Sequence, residues 1–242
     1  MNKQSNIYTI IYIMVLVVVV GTALAATSLA LKPRQQENID ADKMNQILAA
    51  ALITPAPGKT VEDFNRYITE RYAVNAKGQR LDGVNAFSID VATQSKLSPD
   101  SRELPVYVCS TPDAGVKYIL PVYGAGLWGP IWGYVAFDAD GSTIYGAYFA
   151  HQGETPGLGA EIEKPAFSSQ FHGKQVFKDG HFRPVSVVKA GQTPLDGSDY
   201  VDGISGGTIT SKGVGAMLDN CLMPYRKFLM SLSRTAGNAL NQ

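Results

Sequence analysis

A long apolar segment near the amino terminus constrains this chain more than any other feature. Residues 7–31 contain no charged side chain and consist mainly of isoleucine, valine, leucine and alanine. As a helix the segment is about 37 Å long at about 1.5 Å per residue, enough to cross a hydrocarbon core of about 30 Å. Tyr8 near one end and Lys32 after the other suit the membrane interface. We predict a transmembrane helix over residues 7–31, preceded by a tail of residues 1–6.

A cleaved signal peptide is the alternative interpretation of the same segment. It would combine Lys3, an apolar centre over residues 10–20 and a small-residue cleavage site at residues 23–25. We favour a retained anchor, because the apolar run continues past that site to Leu31 and the positive charge before it is weak. The positive-inside rule does not decide the orientation, since the charges on the two sides nearly balance.

Residues 32–242 are predicted to form one soluble domain that begins with two helices. Asp40 or Asp42 is placed to cap the first helix, which runs towards Leu52 and ends before two prolines. The second helix is predicted over residues 61–72, because its apolar residues recur at helical spacing.

Strand signals dominate the remainder of the domain. The predicted strands cover residues 104–109, 116–122, 131–137, 143–149 and 182–189. Turn-forming residues at 111–115 and 138–142 join the first four strands in pairs. A final helix is predicted over residues 210–232, with a kink at Pro224. Because short turns connect neighbouring strands, we predict an α+β fold with an antiparallel-rich sheet and flanking helices.

Composition excludes several classes of function. The chain of 242 residues has a formal net charge of +0, so it lacks the basic surface of a nucleic-acid-binding protein. Its two cysteines and three histidines are scattered without metal-ligand spacing, so we expect no metal site. Cys109 and Cys221 could pair in an oxidising compartment, although Cys221 is expected in the core on an apolar helix face. The GxSxG motif is absent, and no Ser/His/Asp arrangement suggests a hydrolase.

Residues 124–129 (GAGLWG) match the GxGxxG pattern of dinucleotide-binding sites. That pattern needs a helix to begin there, so that the pyrophosphate meets the helix amino terminus. Residues 130–135 (PIWGYV) instead predict a strand. We therefore interpret the segment as a glycine-rich bend between strands, with Leu127 and Trp128 as apolar contacts.

Residues 205–212 (SGGTITSK) precede and begin the final helix, and their chemistry suits a phosphate group. Small residues let backbone N–H groups approach an anion, a helix start adds a positive dipole end, and Lys212 adds charge. Alternatively, serine and threonine only cap the helix and the glycines only form the turn. From this segment alone we favour the second interpretation.

Residues 151–161 (HQGETPGLGAE) directly follow a predicted strand. A loop of glycine and proline at such a place is usually an ordinary surface turn. The same loop also contains a carboxylate, a hydroxyl and three glycines, which would suit close contact with a planar ligand. Chemistry alone leaves both interpretations open.

These three segments, in this order, resemble the FMN-binding domain shared by the C subunit of the sodium-pumping NADH:quinone oxidoreductase and the G subunit of the related Rnf complex. In that family a GLW segment precedes an H-x-E-T-P-G-L-G loop and an acceptor motif, D-x-x-[ST]-G-A-T. The matching loop here is residues 151–159, and the matching acceptor motif is residues 202–208 (DGISGGT). The chain departs from the family in two places: His151 and Glu154 are three positions apart, and Gly207 replaces alanine.

The resemblance implies that Thr208 carries FMN through a phosphoester bond, with Thr210 as the alternative acceptor. The GLW bend and the second loop are then expected to form walls for the isoalloxazine, with Glu154 and Thr155 supplying polar groups. No side chain is expected to be catalytic, because the redox chemistry belongs to the flavin. The expected cofactor-binding residues are Thr208, Ser205, Gly206, Gly207, Lys212, Leu127, Trp128, Gly129, Glu154, Thr155, Pro156, Gly157, Leu158 and Gly159.

The resemblance further implies an electron-relay subunit of a sodium-pumping NADH:quinone oxidoreductase. It would have a single-pass anchor in the bacterial inner membrane and a soluble domain on the periplasmic side. Its expected partners are the other subunits of the complex, membrane lipid, and a separate flavin transferase that uses FAD and a divalent metal. The alternatives are an Rnf G subunit, which the length and the early helical region disfavour, and a membrane-tethered binding module without redox function.

Overall fold

The structure is a computed structural model that describes the backbone of residues 6–239 and the side chains of residues 6–233. All but one residue of the predicted tail over residues 1–6 lies outside that range. The chain divides into two units, Met1–Lys43 and Met44–Gln242.

The first helix, α1 (Asn6–Ala50), has 45 residues. By length and composition it could cross a membrane: its most apolar window of 18 residues has a mean hydropathy of 2.6, and none of that window is buried. The predicted helix start at Asp40 or Asp42 is wrong, because α1 continues through both positions. Asp40 instead accepts a hydrogen bond from Gln36 Nε2 at 2.9 Å, one turn earlier on the helix surface.

The centre of the second unit is a six-stranded antiparallel sheet. Its strands are β1 (Ile68–Val74), β2 (Arg80–Leu81), β3 (Leu104–Thr111), β4 (Gly115–Ala125), β5 (Pro130–Asp138) and β6 (Ile144–His151). Their order across the sheet is β2-β1-β3-β4-β5-β6. The four strands predicted between residues 104 and 149 and the two connecting turns are confirmed, and so is the antiparallel-rich α+β fold class.

Helices and short elements surround the sheet. The α-helices are α2 (Thr60–Tyr67), α3 (Val91–Gln94), α4 (Pro165–Ser168), α5 (Thr208–Leu222) and α6 (Arg226–Ala239). The short 3-10 helices are Ala86–Ser88, Pro99–Ser101, Gly159–Glu163, Ser169–Phe171 and Met223–Tyr225. Strands β7 (Phe177–Lys178) and β8 (His181–Phe182) pair antiparallel, while β9 (Ser186–Val188) and β10 (Tyr200–Asp202) pair parallel.

Both faces of the large sheet are buried. Successive side chains of a strand point to opposite faces, so Val106 and Val108 of β3 join the core that contains α5, whereas Tyr107 lies in the core that contains the end of α1. In β4, Leu120 belongs to the first core and Ile119 to the second. Burial on both faces explains why these strands are nearly continuous runs of apolar residues.

Three predicted boundaries are wrong. The helix predicted over residues 61–72 ends at Tyr67, because the following residues pair with β3 as strand β1. The strand predicted over residues 182–189 is divided into β8 and β9 around Pro184, which has no N–H for a strand ladder.

The third wrong boundary concerns the final helix. It begins at Thr208, two residues earlier than predicted, and gives way to the 3-10 turn Met223–Tyr225 before α6. The interruption occurs at the predicted kink, where Pro224 cannot donate the hydrogen bond of a regular helix.

Both cysteines are buried and free. Cys109 belongs to the core on one face of the sheet and Cys221 to the core on the other, so the sheet separates them. The thiol of Cys221 donates a hydrogen bond to the carbonyl of Tyr123 at 3.3 Å. The core position expected for Cys221 is confirmed.

Phe149 lies at the centre of an aromatic cluster and is fully buried, with its ring centroid 5.1 Å from that of Phe171 and 5.7 Å from that of Phe167. We expect Phe149→Ala to lower the free energy of unfolding by about 3–5 kcal/mol, because the cavity loses contacts on every side. Denaturant unfolding of the full chain in detergent measures this, with the fully exposed Leu195→Ala as the control. Equal midpoints for the two variants would contradict the packing described here.

Candidate functional site

Residues 203–207 make a tight connection between β10 and α5. Gly206 has a φ of +76°, a conformation that glycine adopts without strain. A Cβ atom on Gly206 would also lie 2.6 Å from Leu158 Cδ2, so the two loops touch at this glycine. Glycine at this position therefore permits both the turn and the contact.

The same connection is fixed to the first turn of α5 by hydrogen bonds. The N–H of Ile204 donates to Ser211 Oγ at 2.8 Å, and the N–H of Gly207 donates to the carbonyl of Ile204 at 3.0 Å. Gly207 is the residue before the helix and offers no side chain to cap it. Thr208 is consequently the first residue of α5, and its side chain is exposed.

A cavity of about 360 Å³ lies beside this helix start. Ser205, Thr208 and Lys212 line it, together with Lys189 and Gln192 from the segment after β9. Two lysines in the lining and the N–H groups of a helix amino terminus together make the cavity suitable for an anion such as a phosphate.

The GLW bend, residues 124–129, connects the end of β4 to the start of β5. The N–H of Gly126 donates to the carbonyl of Gly129 at 2.8 Å, which closes the bend. Strand β5 follows at Pro130, as predicted, so this segment lacks the helix of a dinucleotide fingerprint. Leu127 is 47% exposed and Trp128 is 69% exposed, so the bend presents two adjacent apolar side chains to the solvent.

The second loop, residues 154–159, follows β6 and lies at the surface. The carbonyl of Thr155 accepts hydrogen bonds from the N–H groups of Leu158 and Ala160, both at 3.1 Å. Pro156 is exposed, and Gly157, with a φ of +75°, turns the chain. Leu158 is left 42% exposed beside the connection that leads to Thr208.

A single carboxylate connects the three segments. Glu154 is only 4% exposed. Its Oε1 accepts a hydrogen bond from the backbone N–H of Trp128 at 2.8 Å, and its Oε2 accepts one from the hydroxyl of Thr210 at 2.5 Å. The N–H of Glu154 donates to His151 Nδ1 at 3.1 Å. The GLW bend, the second loop and the first turn of α5 therefore meet at Glu154.

Two glycines make room for this carboxylate. A Cβ atom on Gly126 would lie 2.5 Å from Glu154 Oε1, and one on Gly159 would collide with Oε2 and with the hydroxyl of Thr210. Any larger residue at either position would displace the carboxylate from its donors. Packing against Glu154 thus explains the glycines at positions 126 and 159.

Opposing effects act on the ionisation of Glu154. Burial raises the pKa of the Glu154 carboxyl, whereas hydrogen bonds from the Thr210 hydroxyl and from the N–H groups of Trp128 and Leu127 lower it. The hydrogen bonds dominate, and they hold the pKa of Glu154 below its ordinary value of 4.5. The buried side chain is therefore a carboxylate at neutral pH.

The structure groups five of the fourteen expected cofactor-binding residues around the start of α5. Thr208, Ser205, Gly206 and Lys212 line the cavity, and Leu158 touches this group through Gly206. The expected residues of the GLW bend and the rest of the second loop do not line this cavity. The carboxylate of Glu154 faces Trp128 and Thr210 instead of an exposed ligand surface.

Sequence reasoning missed several residues of the site. Lys189 and Gln192 line the same cavity as Thr208, but they come from the segment after β9, which carries no motif. Thr210 was considered only as an alternative acceptor, and its hydrogen bond to Glu154 joins positions 56 apart in the chain. Spacing along the sequence could not have indicated either contact.

Comparisons with known proteins show the family of this chain. Residues 126–223 match the FMN-binding domain family. The C subunit of the Na(+)-translocating NADH-quinone reductase from Vibrio vulnificus (strain YJ016) is 36% identical to this chain, and the alignment covers 84% of this chain and 87% of that protein. The chain belongs to the family of C subunits of the Na(+)-translocating NADH-quinone reductases. The predicted resemblance and the predicted oxidoreductase class are confirmed.

Further C subunits of these reductases show the same relationship. The protein from Vibrio anguillarum is 34% identical, over 90% of this chain and 91% of its own length. The crystal structure of the C subunit from Parabacteroides distasonis ATCC 8503 has 48% identity and a TM-score of 0.76, covering 82% of this chain and 96% of that one. Shewanella oneidensis NqrC has 25% identity and a TM-score of 0.67, covering 81% and 99% respectively.

The depressed pKa of Glu154 predicts how stability depends on pH. A group whose pKa is lower in the folded state stabilises the protein fully above its unfolded pKa and loses that contribution as the pH falls through the folded value. We expect Glu154→Gln to lower the free energy of unfolding by about 1–3 kcal/mol at neutral pH, because hydrogen bonds to a charged group are lost.

The difference between wild type and Glu154→Gln should shrink steadily over the acidic range below the ordinary glutamate pKa of 4.5, as the wild-type carboxylate becomes protonated. Denaturant unfolding at several pH values measures it. Glu62→Gln is the control, because the side chain of Glu62 is 71% exposed. A wild-type advantage that stayed constant across this range would contradict the assignment of a hydrogen-bonded carboxylate.

Proposed function

We propose that this protein is the electron-relay subunit of a sodium-pumping NADH:quinone oxidoreductase and carries FMN through a phosphoester bond to Thr208. The observation that carries the proposal is the position of the Thr208 hydroxyl. It is exposed on the first residue of α5, in a cavity that Lys189 and Lys212 also line. A phosphodiester at this place would face two cations and a helix amino terminus.

The alternative acceptor, Thr210, is much less accessible. Thr210 is 1% exposed, and its hydroxyl already donates a hydrogen bond to the Glu154 carboxylate. Modification of that oxygen would remove this hydrogen bond and would require the buried site to open. The geometry therefore supports Thr208, the last residue of the acceptor motif.

The residues around Thr208 suit the other parts of FMN as well. Leu158 adjoins the turn at Gly206, and Leu127 and Trp128 expose apolar surface on the bend that Glu154 ties to α5. An isoalloxazine ring needs such apolar surface, and bound FMN supplies the electron-transfer chemistry. The side chains of this protein would bind and orient the cofactor and limit its contact with water.

Attachment is assigned to a separate flavin transferase with FAD as the donor. The Thr208 oxygen forms the new bond to the flavin-side phosphorus, the bond to the adenylate breaks, AMP leaves, and the hydroxyl proton is released. The divalent metal belongs to the transferase.

The remaining assignments concern location and partners. We propose a tail over residues 1–6, a retained single-pass anchor over residues 7–31, and a soluble FMN-binding domain over residues 32–242. The anchor would lie in the lipid of the bacterial inner membrane, with the domain on the periplasmic side. The uncharged apolar stretch within α1 supports this arrangement, and the family supports partnership with the other subunits of the complex.

Coexpression with a flavin transferase tests the proposal. Intact mass and in-gel flavin fluorescence of the denatured protein should show one FMN on the wild type and none on Thr208→Val, which keeps the shape of the side chain and removes only the hydroxyl. Ile209→Val, a change of one methylene group at the next exposed residue, is the matched control and should retain the FMN. Full modification of Thr208→Val would refute Thr208 as the acceptor. An unmodified wild type, beside a modified control substrate, would refute the relay assignment.

A further inference from the structure

We propose that Glu154 and Thr210 form a positioning pair that sets the orientation of Thr208 and of the GLW bend, and that neither residue contacts the flavin itself. This inference rests on the proposed function, since it assigns the elements that prepare Thr208 for modification. Both side chains are buried, and they bond to each other at 2.5 Å. Their role is therefore to hold protein segments together.

Helix geometry explains how a bond at Thr210 controls Thr208. An α-helix turns by about 100° per residue, so side chains two positions apart point in nearly opposite directions. Thr210 is turned inward to Glu154, and Thr208 is accordingly turned outward, as its exposure shows. A first turn of α5 without the Thr210 hydrogen bond would keep the bond from Ile204 to Ser211 but would lose the contact that fixes its rotation relative to Glu154.

The other carboxylate oxygen of Glu154, Oε1, holds the GLW bend. It accepts a hydrogen bond from the N–H of Trp128. This bond keeps the exposed residues Leu127 and Trp128 next to Glu154. Gly126 and Gly159 lie so close to the carboxylate that no side chain fits between them. One charged group thus sets the distance between the apolar bend and the modified helix.

Another feature makes a carboxylate the appropriate group. A carboxylate only accepts hydrogen bonds, and the groups that bond to it here, including the Trp128 N–H and the Thr210 hydroxyl, are donors. Its negative charge also lies against the amino-terminal turn of α5, where the helix dipole favours it. A glutamine would retain the shape and one acceptor oxygen, but it would lose the charge and present an N–H group to one of the two donors.

The test measures the rate of FMN attachment to the full chain, with purified flavin transferase and FAD, by intact mass over time. We expect Thr210→Val to be modified about tenfold more slowly than the wild type, the factor that corresponds to losing one hydrogen bond of about 1.4 kcal/mol. Thr210→Ser keeps the hydroxyl and should restore the wild-type rate. Glu154→Gln should give an intermediate rate.

A second readout separates positioning from simple loss of stability. The reduction potential of the attached FMN should differ between the wild type and Glu154→Gln, because the bend and a nearby charge both change, and should be unchanged in Glu163→Gln. Glu163 is a matched control, since its carboxylate lies at the other side of His151, 3.7 Å from Nε2, and is 40% exposed. Folding of every variant is verified by its unfolding midpoint.

The two measurements separate failure of the positioning pair from failure of the proposed function. An unmodified wild type would refute the proposed function. A modified wild type, together with Thr210→Val and Glu154→Gln variants that match it in rate and potential, would overturn the positioning pair alone. If Thr210→Val fails to fold, folded Glu154→Gln decides the question by the same two measurements.

Discussion

A buried carboxylate is stable only where hydrogen-bond donors offset the loss of water. In this protein the donors to Glu154 come from two distant places in the chain, the backbone of Trp128 and the hydroxyl of Thr210. The hydrogen bonds that satisfy the charge of Glu154 therefore hold the GLW bend, the second loop and the first turn of α5 together. Two glycines of the site follow from the same constraint, because Gly126 and Gly159 leave the space that the carboxylate occupies.

The sheet brings the GLW bend, the second loop and α5 together. Strand β4 ends where β5 begins, and His151 at the end of β6 pairs with Ile131 at the start of β5. The GLW bend and the second loop consequently leave the sheet at the same end. Helix α5 packs along β4 so closely that a Cβ atom on Gly213 would collide with the carbonyl of Ala125. The large sheet is buried on both faces and positions the exposed loops, and functional residues often lie on loops positioned in this way.

The sequence predicted the large sheet better than it predicted the site. Strands β3 to β6 could be predicted because apolar runs alternate with strong turn signals, and both properties are local. The end of α2 at Tyr67 could not, since the residues after it become a strand only through pairing with β3. The motifs identified Thr208 and the two loops, but the inward direction of Glu154 depends on a contact across 56 positions. Lys189 carried no motif at all, so only the fold places it beside Thr208.

Hydrogen–deuterium exchange on the full chain tests most directly whether one carboxylate holds the three segments. Wild type and Glu154→Ala are compared peptide by peptide, with Glu163→Ala as the control. We expect Glu154→Ala to accelerate exchange in two segments at once: the GLW bend, residues 124–129, and residues 204–213, which lead into α5 and form its start. Both segments lose the same hydrogen-bond acceptor. Acceleration confined to residues 151–160 would contradict the account, since Glu154 would then stabilise only its own loop.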